Sequence, residues 1–164
     1  MDGLFDQWQT QLVIIATVAY AMALGGAIGF ERELKDRPAG FRTHMLVAGA
    51  AALLVGLGDL LAIRFTDEHY RDVIRVDPLR LVEAVVAAVG FLGAGAIFRR
   101  SGGNSVSGLT TAASLLMVAA IGIAAGLHAY ALALGVTALT LMVLLLLAWV
   151  ERRAGTRKRE RSER

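Results

Sequence analysis

Five long apolar blocks, at 11–30, 45–63, 79–98, 106–126 and 129–150, leave this chain few ways to fold. Each is close to the roughly 20 residues that an α-helix needs to cross the hydrocarbon core of a bilayer. Inside lipid every backbone N–H and C=O must be satisfied within the protein, and a helix does this within one segment. The expected fold is therefore all-α, a polytopic transmembrane bundle of about five spans. The 164 residues suit one compact unit, with a membrane domain over 1–150 and a basic tail over 151–164. Composition agrees: 56% of the residues are hydrophobic and the mean hydropathy is +0.59, against about 45–50% apolar residues in soluble domains. The third span opens with Asp77-Pro78, which reads as a helix N-cap followed by its first residue. The fourth carries several hydroxyls and is the weakest candidate, whereas the fifth is the greasiest. The first follows Asp2 and Asp6 rather than a basic stretch, and its run is too long for a secretory signal, so it is read as a span.

Charge distribution predicts an orientation. Cytoplasmic loops of membrane proteins carry an excess of Lys and Arg. With the N-terminus outside, 13 of the 17 Lys and Arg fall on the inner side: four in 31–44, Arg99 and Arg100, and seven in the tail. The outer loop 64–80 holds the other four, balanced by Asp67, Glu68, Asp72 and Asp77. The reading is thus N-out/C-in, with Trp8 and Trp149 near opposite interfaces. A short interfacial helix is expected around 69–76, and a disordered or lipid-bound tail after residue 150. The basic cluster directly follows a span, so an anionic lipid surface suits it better than nucleic acid.

Eighteen glycines exceed the usual share of about 7%. Small residues inside spans let helix backbones approach closely. Gly25-x-x-x-Gly29 and Gly122-x-x-x-Gly126 have the spacing of helix-packing motifs. Gly90, Gly93 and Gly95 do similar work in the third span, and Gly108, Thr110, Thr111 and Gly122 are packing candidates in the fourth. Ser107, Thr111, Ser114, Val118 and Gly122 form a weakly polar stripe at roughly helical spacing. Tight packing is the plain reading; a narrow polar path or hinge is the sharper one.

Ionisable groups inside a bilayer are costly and often functional. Asp59 and Glu83 each lie about four residues inside one boundary of consecutive spans, roughly 6 Å deep at about 1.5 Å per residue. Side by side, they could hold a proton or a hard cation such as Mg²⁺, which prefers oxygen ligands. Otherwise each pairs with a nearby cation, Arg64 or Arg80, or reaches the headgroups. On the inner side, Glu31-Arg32-Glu33 precedes Arg37-Pro38-Ala39-Gly40-Phe41-Arg42-Thr43-His44, with Asn104 and Ser105 placed to cap the fourth helix. A cluster of Glu31, Arg32, Arg42, Thr43 and His44 reads either as an ion-paired latch between helices or as an anion, proton or partner site. No catalytic constellation is present: there are no cysteines and three histidines, and Arg99-Arg100-Ser101-Gly102-Gly103-Asn104 lacks the Gly-Lys-Ser/Thr of a phosphate loop. Neither an enzyme nor a cofactor is expected.

Four ordered blocks resemble a known family: Gly25-Gly26-Ala27-Ile28-Gly29-Phe30-Glu31-Arg32-Glu33; Arg37 to His44; Asp77-Pro78-Leu79-Arg80 leading to Gly90-Phe91-Leu92-Gly93-Ala94-Gly95; and Val106-Ser107-Gly108-Leu109-Thr110-Thr111-Ala112-Ala113 with Ala119-Ala120-Ile121-Gly122. They are similar to the membrane domain of the MgtC/SapB family over about residues 20–126. The resemblance implies a bacterial inner-membrane protein tied to magnesium limitation, acting as a regulator that binds other membrane proteins or as an oligomer. Longer members carry a soluble C-terminal domain, so this chain is expected to be a short member. It departs from the family at Leu115-Leu116-Met117, where a Trp is common, and at Glu83-Ala84, where some members have Ala-Gln.

Overall fold

The computed structural model describes residues 2–64, 77–98 and 108–162. Among them are five helices: α1 (Asp2–Glu33), α2 (Phe41–Arg64), α3 (Pro78–Phe98), α4 (Leu109–Gly126) and α5 (Tyr130–Ser162). All five are long and apolar enough to cross a membrane, and the chain is a multi-pass membrane protein. α3 begins as its sequence predicts: the Asp77 carboxylate accepts the Leu79 N–H at 3.0 Å, with Pro78 at the first helical position. The connection from α1 to α2 is tighter than the apolar runs suggest. α1 keeps Glu31 to Glu33 in its last turn and α2 already begins at Phe41, so Arg42 to His44 lie on a helix.

The short connections after α1 and α4 end their helices in the same way. Arg37 N–H bonds Arg32 C=O and Asp36 N–H bonds Glu33 C=O, with Asp36 left-handed at φ 50°. After α4, Ala129 N–H bonds Ala124 C=O and His128 N–H bonds Ala125 C=O, with His128 at φ 60°. These paired bonds satisfy carbonyls that a helix end otherwise leaves orphaned. α4 starts after Gly108, whose φ of 97° and close approach to Ala96 C=O require a residue without Cβ. The expected cap from Asn104 and Ser105, the interfacial helix near 69–76 and the Arg99-Arg100 pair lie outside the described residues. The tail is helical through Ser162 rather than disordered. Its Glu, Arg, Lys and Ala content favours helix, with Gly155 and Thr156 the weak formers in 151–161.

The core is a three-helix junction. α4 touches all four other helices, whereas α3 and α5 flank it without meeting each other among the described residues. The span that reads as weakest is the most buried of the five. Its small and hydroxyl residues lower its hydropathy for the same reason that they fit it for close packing. The tightest point is Ala48 on α2, fully buried. A Cβ added at Gly25 would lie 2.6 Å from the His44 carbonyl oxygen and 2.7 Å from Ala48 Cβ. One added at Gly122 would collide with the Ala48 carbonyl oxygen and lie 2.9 Å from Ala51 Cβ. Gly29 and Gly126 extend the contact one turn further on each side, against Phe41 and Val55. Ile28, Val118, Ile121 and Ala125 fill the space around this junction, and α3 adds Val85 and Val89 against Leu115 and Ala119.

Gly90 and Gly95 depart from their expected role. Both are exposed, with nothing within 4 Å of an added Cβ; Gly93 alone of the three meets α4, at Ala112. Thr110 is likewise exposed, whereas Thr111 is buried. α3 presents one seam to the bundle, and 90 and 95 fall off it.

Gly122→Ala is expected to destabilise the solubilised protein by about 1–3 kcal/mol, the usual cost of overpacking. Gly90→Ala is expected to be neutral or to stabilise by up to about 1 kcal/mol, since alanine is the better helix former. Thermal unfolding followed by circular dichroism reads both.

Candidate functional site

Where α1 ends and α2 begins, three polar side chains are buried: Glu31 at 7% exposure, Arg32 at 3% and His44 at 0%. Their burial follows from the hairpin. The last turn of α1 and the first of α2 are held together at Gly29 and Gly40, and α4 covers them. Arg32 Nε donates to Glu31 Oε2 at 2.6 Å. Glu31 Oε1 faces the Lys35 ammonium one turn away. Lys35 Nζ also donates to the Leu144 carbonyl of α5 at 3.2 Å, which ties the end of α1 to the fifth helix. One carboxylate thus stands between two cations. Burying such a group is tolerable because each charge has an opposite partner in contact.

Glu33 performs a different task. Its carboxylate accepts the Phe41 N–H at 2.7 Å and so caps α2 from the neighbouring helix. A negative group at a helix N-terminus also complements the helix dipole. Gly40 makes room for it: an added Cβ there would lie 2.7 Å from Glu33 Oε2.

His44 links α2 to α4. Its Nδ1 lies 2.9 Å from the Gly40 carbonyl, which can only accept, so Nδ1 carries the hydrogen. Its Nε2 lies 3.0 Å from Ser114 Oγ, which is also 2.8 Å from the Thr111 carbonyl. The Ser114 hydroxyl donates to the Thr111 carbonyl on its own helix and also meets His44 Nε2, tying α2 to α4.

Of the residues that the sequence grouped here, Glu31, Arg32 and His44 are brought together, while Arg42 and Thr43 are exposed on α2. They share its first turn with His44 but point off the face that α1 and α4 cover. Lys35, Glu33 and Ser114 complete the arrangement. Lys35 stands four residues after Glu31, a spacing that places both on one helix face, and Ser114 already stood in the polar stripe of the fourth span.

The other end of the bundle holds Asp59. With Gln9, Thr10, Thr17 and His128 it lines a cavity of about 430 Å³ whose remaining walls are apolar, including Ile14 and Gly56. The cavity exists because α4 stops at Gly126, and the turn after it floors the gap between α1 and α2. Thr17 Oγ1 and Tyr130 Oη share a hydrogen bond at 2.9 Å, and Tyr20 Oη donates to the Tyr130 carbonyl at 3.0 Å, closing α1 onto α5. Glu83 is exposed on α3 and does not line this cavity or the smaller one of about 150 Å³ that Asp59 shares with Leu79, Leu81 and Val82. No ion pair or hydrogen bond joins Glu83 to Asp59 or to Arg80 among the described residues. No group of three or more His, Asp or Glu suited to a metal occurs among them either.

Ser114→Ala removes the partner of a fully buried imidazole nitrogen and is expected to cost about 1–3 kcal/mol in thermal unfolding, with Ser114→Thr recovering most of it. Glu31→Gln leaves two cations without their carboxylate and is expected to cost more, about 3–5 kcal/mol.

Known proteins align with this architecture. The chain is 36% identical to Protein SapB of Bacillus subtilis over 148 residues, covering 90% of the chain and 62% of that protein. It is 38% identical over 136 residues to an Escherichia coli protein named putative magnesium transporter YhiD, covering 80% and 58%. With Protein MgtC of Brucella abortus it shares 40% identity over 119 residues, covering 73% and 44%. The chain thus spans about half the length of the curated relatives it matches. No solved structure matches it. The MgtC family profile covers residues 18–153, which takes in the whole three-helix junction, the buried cluster around Glu31 and His44 and the fifth span, and the chain belongs to the MgtC family.

Proposed function

We propose that this chain is a non-enzymatic regulator or adaptor of a bacterial inner membrane, linked to magnesium homeostasis and oriented N-out/C-in. The carrying observation is that the buried polar groups of the α1, α2 and α4 junction are engaged with one another. Glu31 holds Arg32 and Lys35, Glu33 caps α2, and His44 is bonded at both nitrogens. Groups locked in mutual pairs across helices serve a latch better than a translocation path, which needs side chains free to exchange partners. The name of one relative, putative magnesium transporter YhiD, supports the magnesium connection. As a regulator it works by contact, through an oligomer or other membrane proteins.

A second reading, a cation or proton transporter subunit, is favoured by Asp59 in the wall of the 430 Å³ cavity. Lining carboxylates of this kind bind hydrated Mg²⁺ through one or two oxygens. Proteoliposomes holding purified protein and reporters for Mg²⁺ and protons separate the two. The regulator reading expects no flux from wild type. Flux that disappears in the Asp59→Asn/Glu83→Gln double variant would replace it with the transporter reading.

A further inference from the structure

Between α4 and α5 runs a groove of about 360 Å³, lined by Thr110, Ala113, Ser114, Met117, Val136, Leu139, Thr140, Val143 and Leu144. It lies wholly within the two apolar spans, so whatever fills it sits at bilayer depth. Its hydroxyls do not make it polar. Thr140 Oγ1 donates to its own helix at Val136 C=O, at 2.7 Å, and Ser114 is bonded within the His44 network. The groove therefore presents methyl and methylene groups along some eight residues of α5, about 12 Å at about 1.5 Å per residue.

One end of the groove lies next to a charge. Leu144, which lines it, is the residue whose carbonyl accepts Lys35 Nζ. An ammonium has three hydrogens. One faces Glu31 and one the Leu144 carbonyl, and the Lys35 side chain retains 20% exposure for the third. Glu31 is shared by Lys35 and Arg32, so neither cation has a carboxylate to itself. Beyond Leu144, α5 continues as helix through the basic sequence 152–161. An apolar groove whose Leu144 end abuts a part-exposed ammonium, with a basic stretch following on the same helix, is complementary to a lipid whose headgroup is an anion.

We propose that the α4–α5 groove is a binding site for one anionic phospholipid, an acyl chain lying along Ala113, Val136 and Thr140 and its phosphate meeting Lys35. The site is separate from the Asp59 cavity, at the opposite end of the bundle, and does not depend on which functional reading holds. A basic side chain near a membrane surface contributes about 1 kcal/mol to anionic lipid binding, or about fivefold in affinity.

The test is native mass spectrometry of the detergent-solubilised protein mixed with equal phosphatidylglycerol and phosphatidylcholine of matched chains. Wild type is expected to retain one phosphatidylglycerol per chain in preference to phosphatidylcholine. Lys35→Gln is expected to lower that preference about fivefold. Ala113→Phe and, independently, Thr140→Leu fill the groove from exposed or groove-facing positions and are expected to abolish it while circular dichroism shows unchanged helicity. Equal retention of the two lipids by wild type would overturn the proposal. So would undiminished phosphatidylglycerol binding by both filled variants, or a lipid-free dimer that the filled variants dissociate, which would make a second copy the occupant.

Discussion

Everything in this bundle hangs on how closely two backbones approach a third. In lipid the hydrocarbon around a helix is as apolar as its side chains, so helices associate through dispersion contacts and hydrogen bonds rather than by escape from water. Dispersion falls off steeply with separation. Gly25 on one side and Gly122 on the other let α1 and α4 settle against Ala48 of α2 at distances that any Cβ would prevent. That contact brings His44 within reach of Ser114, and it encloses Glu31 and Arg32 at the end of the same seam. The polar cluster is a consequence of the small-residue junction. Opening the seam would expose the cluster, whereas rearranging the cluster would leave most of the seam intact.

The two ends of the molecule are built on contrasting terms. At the Glu31 end charges are buried in contact with their opposites, and Lys35 extends the pairing onto α5. At the Asp59 end the short α4 leaves a cavity, and the carboxylate shares its wall with an amide, hydroxyls and His128. A latch and an open recess on one scaffold suit a protein that holds its shape while offering a surface.

Much of this was legible in the residues. Block lengths gave five helices, Asp77-Pro78 gave the start of α3, and the Gly25/Gly29 and Gly122/Gly126 spacings fall on the seam. Other features were not, for physical reasons. Its hydroxyls marked α4 as the weakest span, yet α3 has the lower hydropathy, and α4 is the most buried of the five because those small polar residues pack closely against its neighbours. Glycine content marked Gly90 and Gly95 as packing positions, but content carries no azimuth, and both face away from α4. Arg42 and Thr43 sit beside His44 in sequence and on another face in space, because neighbours on a helix are about 100° apart. The Glu33 cap on α2 depends on a turn geometry that no single-residue preference encodes.

The order of contacts along the chain has a consequence for biogenesis. α1 and α2 can pair as soon as both have entered the membrane, since their seam is local to one hairpin. α4, however, packs on α1 and α2 across the intervening α3, and α3 itself leans chiefly on α4. During synthesis the small-residue face of α2, with Ala48, Ala51 and Val55, must therefore wait in lipid until the fourth helix leaves the ribosome. Over that interval it offers a bare docking strip to any neighbouring helix with small residues at the same spacing. The emerging chain is most open to mispairing, or to capture by an insertion chaperone, after its third helix and before its fourth.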